Sequence, residues 1–354
     1  MTGWRGLGRF WTAVLVVFGI GVGVLQGLAP SPQRPGLRMV GPVIHTGPMP
    51  VPQGSPEAKA HPVSKMTAPS PARPGRDLPG PVADPEPGLQ EAVPGSPHVT
   101  LPRIAADGRT AMATYAAGFD PSSLRPRVGL LIAGIGTSEA ESLNAIKTLP
   151  GGVTLGISAY AANIGPLLAV VRITGHEYLL SVPMEPLGYP VNDPDDRFAL
   201  MTSLPPDENL KRLRALLGRM TGYVGVTDAL GPMSGERLAG VPDQLDSVLE
   251  EVAQRGLLFV DTRLGQRVLP HAWNRPASMV IDDNPVDMAA LDQRLDALTR
   301  MALDNGSALG IVSLPRPVTV ERIAAWTMTL ASKGVALAPV SALVLPPAKQ
   351  ELDK

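Results

Sequence analysis

Six residues that follow short apolar runs carry the groups this chain could use for chemistry: Ser181, Glu185, Asp228, Asp261, Arg263 and Asp282. Carboxylates so placed can move protons as general acids or bases, and Glu185 and Asp261 are the candidates for catalysis. Ser181, Asp228, Arg263 and Asp282 are the candidates for holding a ligand, since converging hydroxyl, carboxylate and guanidinium groups suit a polar, uncharged or weakly charged molecule. The four carboxylates offer oxygen alone, a set that fits Mg, Ca or Mn rather than zinc. Each also has a plainer role, because Asp228 and Asp261 can cap the helices that follow them. No residue is assigned to a metal, and no cofactor is expected unless the chain is an enzyme, in which case a divalent metal is implied.

Other chemistries are excluded or set aside. The chain has no cysteine, which removes disulfides, thiol catalysis and thiolate metal sites. A formal net charge of -1 and an aromatic content of 4% give neither the basic field nor the stacking platforms of a nucleic-acid binder. Gly134-Ile135-Gly136 invites a dinucleotide reading, but Glu139 stands where the third glycine belongs. Asp282-Asp283-Asn284 lacks the glycine and closing glutamate of a calcium loop. His176 opens an apolar run, which gives it a structural role, and His271 beside Trp273 reads as a surface residue.

The elements that must position these groups repeat a βα pattern. Apolar runs at residues 128–132, 153–157, 177–182, 223–226, 257–260, 279–281, 308–312 and 335–340 are short and continuous, as strands buried on both faces are. Between them lie helical stretches: Leu143, Ile146 and Leu149 after a Ser138-to-Glu141 capping box, and Leu210, Leu213, Leu216 and Leu217 after Asp207. Further helices are expected near 245–252, 291–301 and 323–330. Seven or eight such units predict an α/β fold, a (β/α)7-8 distorted TIM-like barrel over residues 124–346 with its site at the C-terminal ends of the strands. Residues 347–354 form a tail.

The N-terminal third differs. After a cytoplasmic stretch, 1–9, an uncharged apolar run at 10–29 is long enough to cross a bilayer, and Arg5 and Arg9 before it place the N-terminus inside. A cleaved signal peptide is the rival, with Gly27-Leu28-Ala29 as its cleavage pattern. Either reading exports the rest of the chain, as a single-pass protein of the cytoplasmic membrane or as a free one, periplasmic in a Gram-negative cell. Of the 39 prolines, 19 fall between Pro30 and Pro102, which predicts a disordered Pro-rich linker over 30–123.

Five stretches in order give the chain a family resemblance. Gly175-His176-Glu177-Tyr178-Leu179-Leu180-Ser181-Val182-Pro183-Met184-Glu185-Pro186 is similar to the G-H-E-x-L-L-H-x-P-M-E-P of divergent polysaccharide deacetylases. Residues 132–136 resemble that family's I-D-D-x-G, 225–231 its G-x-N-N-H-M-G, 256–261 its R-G-L-x-F-x-D and 312–317 its I-G-H-P-x-P. The resemblance implies an exported deacetylase-type βα barrel that removes acetyl groups from an amino-sugar polymer, using a metal held by aspartate and histidine and a carboxylate base. The positions that would carry this chemistry are changed: Ala133 and Gly134 for the paired aspartates, and Ser181, Ala229 and Leu314 for histidines. Two function classes therefore stand side by side. One is a catalytically degenerate barrel that binds an envelope glycan or an envelope protein; the other is an active N-deacetylase of an envelope glycan.

Overall fold

A computed structural model describes residues 79–282 and 286–348, which fall in one compact unit. Nine strands form a parallel sheet in the order β8-β7-β6-β5-β4-β3-β10-β9, with β11 on the N-terminal end of β3. They are β3 (Arg127–Ile135), β4 (Thr154–Ser158), β5 (Tyr178–Ser181), β6 (Gly225–Thr227), β7 (Leu258–Asp261), β8 (Asn274–Pro276), β9 (Met279–Val280), β10 (Ser307–Val312) and β11 (Ala336–Leu337). All eight expected apolar runs became strands, and β8 is an addition. Only Ala277 and Ser278 separate β8 from β9. Ala277 N–H donates to Asp261 O at 2.8 Å and Ser278 N–H to Leu309 O at 2.8 Å, so one short segment bridges β7 and β10 and holds the two ends of the curled sheet. This α/β fold with a curled parallel sheet fits the expected deacetylase-type barrel.

The central strands, β3 to β7 with β10, are buried because most of their residues are apolar on both faces. In β3 every residue but the first is buried. Close strand packing needs glycine at one point: a Cβ on Gly225 would lie 2.2 Å from Leu258 O in the neighbouring β7. Outside the sheet run α2 (Glu139–Thr148), α3 (Ile164–Ile173), α4 (Pro206–Leu217), α5 (Glu236–Ala239), α6 (Pro242–Gln254), α7 (Met288–Asn305) and α8 (Pro317–Thr329), after a short α1 (Ala111–Thr114). The expected cap on α2 is present, with Ser138 Oγ accepting from Glu141 N–H at 3.4 Å. Helix α6 shows why periodicity works: Leu245, Val248, Leu249 and Val252 share the face it buries.

The linker expectation is corrected where the structure describes it. Residues 79–123 are not a disordered tether. β1 (Gln90–Val93) and β2 (Ser96–Pro102) form an antiparallel hairpin whose turn, Pro94-Gly95, has the positive φ of 78° that glycine permits. Leu89, Leu101 and Tyr115 are buried against the sheet domain, and Val82 N–H donates to Arg172 O at 2.8 Å. Burial of these apolar groups outweighs the backbone entropy that a proline-rich composition was expected to keep. At the other end Ala348 N–H donates to Leu269 O at 3.0 Å, so the domain continues past 346. Among the described residues no helix is long and apolar enough to cross a membrane, and the expected anchor at 10–29 lies outside them.

Glu177, at the N-terminal end of β5, ties the assembly together. Its fully buried carboxylate accepts from Ala117 N–H at 3.0 Å, Thr154 Oγ1–H at 3.0 Å, Ser341 N–H at 2.9 Å and the Ser341 hydroxyl. Thr154 Oγ1 in turn accepts from Val340 N–H at 2.9 Å. His176 beside it is structural as expected, its ring nitrogens 2.8 Å from Val153 O and 3.1 Å from Ile146 O. Glu177→Ala strands four donors, two of them buried and two, on Ser341, half-buried, and urea denaturation is expected to show a loss on the order of 3–5 kcal/mol. A loss below about 1 kcal/mol would show that the node carries little.

Candidate functional site

A cavity of about 480 Å³ opens at the C-terminal ends of the strands. Gly134 from β3, Ser158 from β4 and Ser181 from β5 form its base, with Thr137 and Tyr160 beside them. Leu230, Pro232, Met233 and Leu314 supply an apolar wall. Asp193 and Asp195, on the loop after β5, contribute the carboxylates. Ser181 is fully buried and its Oγ has no hydrogen-bond partner, the one cavity side chain in that condition among the described residues. A buried hydroxyl left unpaired costs about 1–3 kcal/mol, so its retention marks a place where a ligand atom can complete it.

The other five expected site residues lie beside the cavity without lining it, and each is engaged from within the protein. Glu185 accepts from Thr202 N–H and Oγ1–H, both at 2.6 Å, and pairs with Arg237 Nε at 3.0 Å. It thereby joins the loop after β5 to α5. Asp228 accepts from Thr262 N–H at 2.9 Å and Thr262 Oγ1–H at 3.0 Å. Asp261 receives a bidentate pair from Arg263, Nε at 3.0 Å and Nη2 at 2.8 Å, while Arg263 Nη1–H donates to Ala239 O at 2.7 Å. Asp282 accepts from Ser313 N–H at 2.6 Å and Leu314 N–H at 3.4 Å, which sets the turn that delivers Leu314 to the cavity wall. These groups hold the loops that shape the cavity. Neither Glu185 nor Asp261, the two residues read as candidates for catalysis, lines the cavity.

Sequence reasoning passed over Ser158, Tyr160, Asp193 and Asp195. The Asp193-Pro194-Asp195-Asp196 run was the available signal, but it lies well beyond the end of its strand. Only the folded loop brings it over the sheet. Its stem is fixed by two backbone bonds, Glu185 N–H to Leu200 O at 2.8 Å and Leu200 N–H to Pro183 O at 2.9 Å. His271 sits away from the site near Asp246 and Glu250, at 3.9 and 3.7 Å.

Whether a divalent metal fits can be tested on the donor set. The five positions at issue present methyl groups at Ala133 and Ala229, a bare backbone at Gly134, a hydroxyl at Ser181 and an isobutyl group at Leu314. Among the described residues no three His, Asp or Glu side chains gather to hold an ion. Gly134 has φ +74°, and a Cβ there would lie 2.7 Å from Leu314 Cδ2, so the leucine fills the space a ligand-bearing side chain would need. The pairing of β3 with β4 also shifts register between Ile132 and Ile135, a bulge of the kind that re-aims side chains beside active sites. The residues present do not fit the metal.

Together the curled parallel sheet and the polar-and-apolar cavity at its C-terminal edge define an α/β barrel-type protein. Residues 130–344 match the divergent polysaccharide deacetylase family, and the chain belongs to that family. It is also similar to the crystal structure of an uncharacterized protein from Agrobacterium tumefaciens, with 30% identity and a TM-score of 0.63 over 70% of this chain and 100% of that one. No curated protein matches.

Burial pushes the Asp228 carboxyl from its ordinary 3.8 up to about 7, and the charge of Asp261 acts in the same direction. A native pKa above the unfolded one gives stability that is full below about pH 4 and is lost as pH rises toward 7. Asp228→Asn keeps an acceptor for Thr262 and removes the titration. Unfolding free energies between about pH 4 and 7 are expected to flatten in the variant relative to the unsubstituted protein, whose slope approaches roughly 1.4 kcal/mol per pH unit. Equal slopes in the two would contradict this assignment.

Proposed function

We propose that this protein is an exported glycan-binding member of its family, one that has exchanged metal-dependent deacetylation for recognition. The observation that carries the reading is the unpartnered, fully buried Ser181 hydroxyl in the cavity, at the motif position where the family resemblance calls for a histidine. A hydroxyl there can pair with a sugar hydroxyl or amide, and the wall of Leu230, Pro232, Met233 and Leu314 offers the C–H face of a sugar ring an apolar bed. The engaged carboxylates support the same reading, since Glu185 and Asp261 are already committed to Arg237 and Arg263. The apolar run at 10–29 would hold the domain at the outer side of the cytoplasmic membrane, within reach of envelope polymer.

Ser181→Ala separates ligand recognition from scaffold stability. Without ligand the variant is expected to gain about 1 kcal/mol in chemical denaturation, because the unpaired hydroxyl is gone. In calorimetric titration with amino-sugar oligomers it is expected to bind about five- to tenfold more weakly. Unchanged affinity, or no binding of any oligomer by the unsubstituted protein, would overturn the reading.

A further inference from the structure

We infer that the cavity selects amino-sugar residues whose amine is free and protonated over residues whose amine is acetylated. The inference rests on the glycan-binding reading above and concerns the charge that the same site prefers. Among the described residues no Lys, Arg or His lines the cavity, whereas Asp193 and Asp195 do. The two carboxylates are not equivalent. Asp195 is committed to Arg197, whose Nε and Nη2 both lie at 2.8 Å. Asp193 receives only Asp196 N–H at 3.0 Å, on Oδ1, and its Oδ2 has no hydrogen bond among the described residues. That oxygen is an exposed, charged acceptor at the cavity mouth. The field of the pair reaches inward: burial pushes the Tyr160 phenol up, and the Asp195 and Asp193 charges act the same way. The Tyr160 hydroxyl donates to Pro194 O, which holds the acidic loop over the cavity.

The base supplies the second and independent half of the argument. Ser181 Oγ is unpartnered and fully buried, and Ser158 Oγ accepts from Tyr160 N–H at 3.2 Å, which leaves the serine proton for a ligand. A sugar ring seated on Leu230, Pro232, Met233 and Leu314 would meet these two hydroxyls with its own and turn its amine toward Asp193. An ammonium there gains a charge-assisted hydrogen bond. Acetylation removes the charge and leaves one neutral amide N–H, so the charge-assisted part of that hydrogen bond is lost.

Calorimetric titration of the full chain in detergent, with chitotetraose and its fully de-N-acetylated counterpart at mildly acid pH, tests this. The de-N-acetylated oligomer is expected to bind about tenfold tighter. That preference is expected to shrink severalfold in Asp193→Asn, which keeps the bond to Asp196 N–H, and to weaken with added salt. Equal or tighter binding of the acetylated oligomer would overturn the inference while leaving glycan binding in place. Binding of neither would overturn both. A preference unchanged in Asp193→Asn, or a simple alkylamine bound as tightly as the oligomer, would overturn the assignment of the amine to this carboxylate and this cavity.

Discussion

A single buried carboxylate holds the domain's N-terminal approach, its sheet and its C-terminal closure in one place. Glu177 takes donors from Ala117 in the approach, Thr154 on β4 and Ser341 after β11. Burial works against the charge and holds its carboxyl above the ordinary value, while the donors from these three segments offset part of the rise. A charge this buried is tolerated only where its hydrogen bonds are all made. The geometry of the strands' N-terminal ends is thereby fixed, and the C-terminal ends, where the cavity lies, are left to vary.

That division of labour explains what the chain keeps and what it changes. The Gly175-His176-Glu177 part of the motif serves the scaffold and is intact. The positions that face the cavity have become Gly134, Ser181 and Leu314, small, hydroxylic and apolar. The carboxylates between these two regions are committed to Thr202 and Arg237, Thr262, Arg263, and the Ser313-Leu314 turn. They keep the loops in place around the cavity.

Much of the sheet was legible from sequence because most of its strands are short runs apolar on both faces. The amphipathic helices were legible for the same reason at a different period, as in α6. Helix α3, with its nearly continuous Ile164-Gly165-Pro166-Leu167-Leu168-Ala169-Val170-Val171, has no polar face to announce it. The β1–β2 hairpin was hidden by proline, which composition reads as disorder but which a two-stranded ribbon tolerates at its turn and end. Strand β8 was missed because Asn274-Arg275-Pro276 is polar. Of the site, Ser181 was legible as a motif position. The carboxylates looked like site groups because they follow strands, yet hydrogen bonding spends them within the protein. The acidic run at Asp193 was visible but its place over the sheet was not, since a loop's final position depends on long-range contacts and not on local pattern.

The measurement that bears most directly on the proposal that a deacetylase scaffold has turned to binding is metal content together with acetate release. The purified full chain would be assayed for bound divalent metal and incubated with N-acetylated glycan oligomers, with and without added metal. The account predicts no stoichiometric metal and no acetate above background from a well-folded protein. Stoichiometric metal with acetate release that falls in Glu185→Ala would contradict it and restore catalysis to this barrel.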